Sequence, residues 1–354
     1  MKFLIGGESF YNPLTILGRN IFNINAYLDN NYEYRYNYFT GGGIYSLYYI
    51  LMHLDIISEE YCLLPSYINP SIPELFDKLK IHYKYYRINS NLKIDLDFLD
   101  KIIDKKCKAF LVIDYFGFHH DNETNQYINN IKIKGISVIQ DIVQAFLPKY
   151  SLIGDYCFNS FRKFIPVDGS VILSRNKLNI QNKRKNLSYL ICRHSARIIR
   201  FLEVELNINT SKLYLYLYNL SETKYYNYYN IKFDIYNKTL LQKINIDDIV
   251  NKRRSRYNQL LNILYEKALI KEMPADVIPL GFPIITDNRD KLKKTLAKMN
   301  IYCSVHWELF SNILQNNHSE SVLLSNNILT FPINDSVNDS NFLRYLEIIK
   351  SMVK

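Results

Sequence analysis

Apolar residues along this chain gather in short dense runs separated by turn residues, and the lengths of those runs predict the elements. IYSLYYILMHL is too long and too dense for a strand, so it reads as a buried helix, opened by the turn Thr40-Gly41-Gly42-Gly43. EYCLLP reads as a strand, SIPELFDKLK as a helix, IHYKYYRI as a strand and DLDFLDKII as a helix. KAFLVIDYFG (108–117) is an apolar strand, GISVIQD a short buried strand ending at Asp141, and SVILS (170–174) another. Strands alternating with helices predict an α/β domain built on a mainly parallel sheet covered on both faces.

The rest of the chain is patterned differently. Residues 176–243 are rich in Lys, Arg and Tyr, and LYLYLYNL alternates over too short a span to choose between strand and helix, so this region stays unassigned. INIDDIVNKRRSRYNQLLNILYEKAL then predicts a long amphipathic helix with acids at its start. PLGFPIIT, RDKLKKTLAKMNIYCSVHW and DSNFLRYLEIIKSMVK follow as an α+β tail. A boundary near residue 245 is expected, giving a large domain over 1–244, with an N-terminal lead, and a small one over 245–354. No repeat of solenoid period is present.

Composition narrows the class. With 354 residues, 48% hydrophobic and 22% charged, the chain has the make-up of a globular protein with room for a large core. Its five cysteines are widely spaced and form no CxxC pair, which speaks against a disulfide framework or zinc site and for a reducing cytosol. MKFLIGGESFYNPL has too short an apolar core for a signal peptide, and no run reaches transmembrane length, so a cytoplasmic protein without a membrane partner is expected. The net charge of +10 is scattered through Tyr- and Asn-rich sequence, which disfavours a nucleic-acid partner and suits a small anionic ligand.

Three features carry chemistry in chain order: the glycine turn at a helix start, the strand-end Asp141, and Lys163 inside GDYCFNSFRKFIPVDGS. Each alone has an ordinary reading, as turn, helix cap or surface lysine. Together they match what pyridoxal phosphate asks of a protein: a phosphate cradle at a helix N-terminus, a carboxylate for the pyridine nitrogen and a lysine for the Schiff base. His119-His120 read as solvent-exposed, because adjacent loop residues point apart, and no metal site is expected. Arg253, Arg254 and Arg256 read as a solvated helix face. His306-Trp307 read as packing or as a substrate-side contact.

VIQDIVQAF, GDYCFNSFRKFIPVDGS and FPIITDNRDKLKKTLAKMNIYCSVHW resemble the DegT/DnrJ/EryC1/StrS aminotransferases, in particular a branch with an S-x-R-K-F-x-x-V-x-D-G pattern, from about residue 40 onward. The resemblance implies the type I pyridoxal-phosphate aminotransferase fold, with Lys163 and Asp141 catalytic: Lys163 bonded to the cofactor and Asp141 at its pyridine nitrogen. It places Gln144 beside the ring hydroxyl, and Gly42, Gly43 and Ser160 at the phosphate. It also implies a homodimer that moves an amino group from glutamate or glutamine to a nucleotide-linked keto-sugar for surface polysaccharide. The chain departs from the family at several places, among them a Ser160-to-Lys163 spacing of three residues where five is commoner and Gly169-Ser170 where a glycine pair follows the aspartate. Ile44 stands where a Ser or Thr is usual, leaving only backbone donors there. Asn69 stands at the ring-stacking position, with Tyr67 as the substitute, and the asparagine segment contributed by a neighbouring subunit is not recognisable. These departures motivate the alternatives of a non-catalytic binding or assembly protein and of a cofactor-dependent sugar-modifying enzyme that is not a transferase.

Overall fold

The computed structural model describes residues 3–180, 184–210, 212–225, 231–309, 318–334 and 337–352. Its strands are β1 (Ile5–Gly6), β2 (Tyr36–Thr40), β3 (Tyr61–Pro65), β4 (Tyr83–Tyr86), β5 (Cys107–Ile113), β6 (Ser137–Asp141), β7 (Tyr156–Phe158), β8 (Ser170–Ser174), β9 (Phe282–Ile285), β10 (Ile301–Tyr302) and β11 (Ile328–Phe331). Seven of them form one sheet in the order β2-β8-β7-β6-β5-β3-β4. β3 to β7 run parallel, and β8 runs antiparallel to both β7 and β2. β5 is buried at every position but Lys108, which is why its sequence is nearly continuous apolar residues instead of an alternation.

The helices that matter for the site are α1 (Ile24–Asn31), α2 (Gly43–Leu54), α3 (Ser71–Leu79), α4 (Leu96–Ile102), α5 (Asn122–Ile133), α6 (Leu187–Glu205), α7 (Leu213–Tyr225), α8 (Ile235–Gln242) and α9 (Ile246–Leu264). One hydrophobic cluster joins α2, α3 and α5 to β3, β5 and β6. A second packs α8 and α9 against the segments that follow β6 and β7. A third holds residues from Tyr257 to Ile349 together with Ile5, which β1 delivers by pairing in parallel with β10. The α/β architecture and the mainly parallel sheet agree with the sequence pattern.

The unassigned stretch LYLYLYNL is helical, within α7. The face it buries is made of Tyr214, Tyr218, Ser221 and Tyr225, a helical spacing, while Leu213 and Leu215 point to solvent. Two arginines of α6 lie over those rings, Arg193 at 3.9 Å from the centroid of Tyr218 and Arg200 at 5.2 Å from that of Tyr214. Cation–π contact, not aliphatic burial, thus sets the inward face.

Two expectations are corrected. Arg253 and Arg256 are not a solvated face: both are buried, with Arg253 donating to the carbonyls of Pro279 and Leu280 and Arg256 to that of Val337. His120 is not exposed either. Its ring is buried with Nε2 3.7 Å from Asp114 Oδ1, and burial pushes its pKa down to about 4, so it is neutral near pH 7.

Candidate active site

β6 ends at Asp141, in register with Ile113 of β5 and Phe158 of β7, so its side chain emerges where the parallel strands open. The next residues after β7 are Asn159 and Ser160, then a single turn, Phe161–Lys163, that carries Arg162 and Lys163. On the far side of β7, Thr40 at the end of β2 pairs with Ser170 at the start of β8, which brings the glycine turn and the N-terminus of α2 to the same edge. Thr40 Oγ1 lies 2.7 Å from Ser46 Oγ, which donates to Ser170 Oγ at 2.8 Å, pinning the start of α2 to the sheet.

These elements enclose one cavity. Gly43, Ile44, Asp141, Gln144, Ser160 and Lys163 all line it, as do Asn69, Arg162, Tyr225 and Trp307. Gly42 stands next to it as the N-cap of α2, with no side-chain hydrogen bond capping the helix. Tyr67 is set back from this wall. Its ring is fully buried, 5.6 Å from Trp307 and 5.7 Å from Tyr115 between centroids, and the aromatic residues that line the cavity are Phe158, Tyr225 and Trp307. Asn69 serves the local turn, its Oδ1 accepting from Ser71 N and Ser71 Oγ.

The electrostatics follow from burial. Asp141 is 5% exposed and accepts one hydrogen bond, from Val143 N at 2.8 Å; no described cation lies within ion-pair distance. Desolvation, with the nearby Asp114 carboxylate adding to it, pushes its pKa up to about 7. Asp114 is itself completely buried, held by Gln140 Nε2 and the Tyr150 hydroxyl, and burial raises it to about 7 as well. Lys163 lines this cavity and a second one and keeps an exposed surface, while the protein crowded around it, and then the adjacent Arg162 charge, lower its pKa. Gln144 Oε1 accepts from Phe116 N, which fixes the amide at the cavity wall.

The second cavity, with about 350 Å³ of open space, shares Arg162 and Lys163 with the first and is closed by the N-terminal segment and the β10 and β11 region. His306 lines it, with Nδ1 2.9 Å from Thr330 Oγ1. Burial, then the charge of Lys163, lowers the His306 pKa to about 3, so its imidazole is neutral. Glu8 and Arg253 share this wall.

The first cavity fits pyridoxal phosphate on its own chemistry. Asp141 is a desolvated carboxylate lacking a cation, which a protonated pyridine nitrogen would supply. Ser160 is 6% exposed, makes no side-chain hydrogen bond among the described residues and lines the cavity beside an uncapped helix N-terminus, a pairing suited to a phosphate. Among the described residues, no group of three or more His, Cys, Asp or Glu side chains is placed to hold a metal ion. No helix among them is long and apolar enough to cross a membrane.

A mostly parallel sheet whose open edge gathers a glycine-led helix, a strand-end aspartate and a loop lysine is the type I fold of pyridoxal-phosphate aminotransferases. Solved sugar aminotransferases share it. Helicobacter pylori PseC, an aminotransferase involved in the biosynthesis of pseudoaminic acid, superposes with a TM-score of 0.68 at 11% identity, over 98% of this chain and 92% of that one. The sugar aminotransferase CalS13 from Micromonospora echinospora gives 0.66 at 14% identity, covering 98% of this chain and 94% of its own. A DegT DnrJ EryC1 StrS aminotransferase from Brucella abortus gives 0.64 at 15%, covering 96% and 92%. No family model and no curated protein sequence matches the chain.

Arg162, Tyr225 and Asp114 are site residues that the sequence did not single out for a role. Arg162 was visible as the neighbour of Lys163, but its partner Glu222 is 60 positions away. Tyr225 ends a helix whose pattern was unreadable.

Proposed function

We propose that this protein is a pyridoxal-phosphate-dependent aminotransferase that moves an amino group from glutamate or glutamine to a keto-sugar. The observation that carries this reading is the convergence of Asp141, Gln144, Ser160 and Lys163 on one cavity. Asp141 would hold the pyridine nitrogen, Gln144 the ring hydroxyl, and Gly42, Gly43 and Ser160 the phosphate. When bound, the cofactor supplies an electron sink for the carbanion formed at the donor's α-carbon.

The chain's own residues do the rest. Desolvation and the Arg162 charge favour the neutral amine of Lys163, the form that attacks a carbonyl and takes up a proton at the substrate carbon. Trp307 covers the cavity with an apolar face, and the neutral imidazole of His306 offers a hydrogen bond in the second cavity without adding charge. A nucleotide-linked sugar, a homodimer and a role in surface polysaccharide belong to the same reading and rest on the resemblance, and a cytoplasmic setting rests on the cysteine pattern and the short apolar run at the N-terminus.

Purified protein given pyridoxal phosphate should develop a visible absorbance band that Lys163→Ala abolishes. A protein that stays colourless with added cofactor would refute the assignment.

A further inference from the structure

The first cavity holds few charges. Among the described residues that line it, the charged ones are Asp141, Arg162 and Lys163. Asp141 and Lys163 have their roles at the ring end of the cofactor, so a phosphate dianion would be left with backbone N–H groups, the Ser160 hydroxyl and Arg162. The hydroxyl usual just after the glycine pair is missing here, because Ile44 occupies its place. Ser46 does not replace it, being committed to Thr40 and Ser170.

Arg162 is built into position from the hairpin of α6 and α7. Its Nη1 donates to Glu222 Oε1 of α7 at 3.0 Å, and its guanidinium lies 4.4 Å above the ring of Tyr225. Glu222 is gripped from the other side by Arg193, which together with Arg197 pairs with the buried Asp168. This anchoring uses one N–H group of the fork and leaves the others for a ligand. The end of α7 is held over the start of α2: Tyr45 Oη donates to the Tyr225 carbonyl, and their rings stand 4.9 Å apart. The fit is close enough to dictate the sequence of the turn. A Cβ on Gly42 would come within 1.8 Å of Tyr225 Oη, so Gly42 is required by that approach, its own backbone being extended.

We propose that Arg162 and Tyr225 complete, from this same chain, the seat for the cofactor's phosphate, with Arg162 as its permanent cation and Tyr225 as the surface that holds the guanidinium. Both are positioning residues for the cofactor. This inference rests on the cofactor reading above and deepens it: the α6–α7 hairpin supplies in cis what the sequence did not reveal as a contribution from a neighbouring subunit.

The test compares pyridoxal phosphate with pyridoxal, which has the same aldehyde and ring but no phosphate, by absorbance titration of the cofactor-free protein. Hydrogen bonds to charged groups contribute about 1.5–3 kcal/mol, so Arg162→Gln should weaken pyridoxal phosphate about 10- to 100-fold. Pyridoxal binding should be unchanged, and Arg162→Lys should recover part of the loss. Tyr225→Phe, which keeps the ring, should retain most of the preference, whereas Tyr225→Ala should lose it. If Arg162→Gln does not fold, the wild-type protein still decides: inorganic phosphate should compete with pyridoxal phosphate and not with pyridoxal. A ratio of the two affinities untouched by Arg162→Gln, or an absence of phosphate competition, would overturn the seat while leaving the cofactor reading intact. A wild-type protein that binds neither compound would overturn the cofactor reading itself.

Discussion

At Asp141 the fold holds a carboxyl whose pKa stands at about 7 against an ordinary 3.8. Below about pH 4 it is protonated in both folded and unfolded chains, and its burial carries no charge penalty. As pH rises toward 7 the unfolded chain releases the proton while the folded one retains it, so the stability this group confers in its protonated form is progressively lost. Asp141→Asn removes that dependence. The cofactor-free variant should therefore lose less melting temperature between pH 4 and pH 7 than the cofactor-free wild type, with Asp114 keeping its own share of the slope; equal losses would contradict the assigned environment. Asp141 and Lys163 were legible because chain order and strand ends place them. The buried states of His120, Arg253 and Arg256 were not, because polar residues at helical or loop positions read as solvated until the carbonyls and acids that satisfy them are known.

Among the elements, α7 shows where pattern reading fails. Its leucines alternate with tyrosines as a strand would, but Tyr214 and Tyr218 point inward onto arginines while Tyr216 and two of the leucines point out, so the alternation does not mark the buried face. α2, by contrast, was legible from its apolar density and the glycines before it. The two elements meet at Gly42 and Tyr225, and that contact is measurable. Gly42→Ala should destabilise the protein by about 1–3 kcal/mol, the usual penalty for overpacking. The same substitution in a Tyr225→Ala background should be much milder, and thermal or denaturant unfolding of the four proteins gives the coupling directly. Additive effects would mean that the two residues do not meet.

Across the whole molecule, the alternation of strands and helices was enough to foresee a mainly parallel sheet, and the sheet order then brings the ends of β2, β6 and β7 to one edge. What the sequence left hidden is the contribution of distant segments: β1 pairing with β10, and the α6–α7 hairpin returning to the glycine turn. Neither has a local signal, since each depends on contacts far apart in the chain. The central claim is that this edge binds pyridoxal phosphate covalently through Lys163. Borohydride reduction of the protein incubated with the cofactor, followed by peptide mass spectrometry, tests it most directly. The account predicts a pyridoxyl-phosphate adduct on the peptide containing Lys163; an unlabelled Lys163 peptide, or labelling spread over surface lysines, would contradict it.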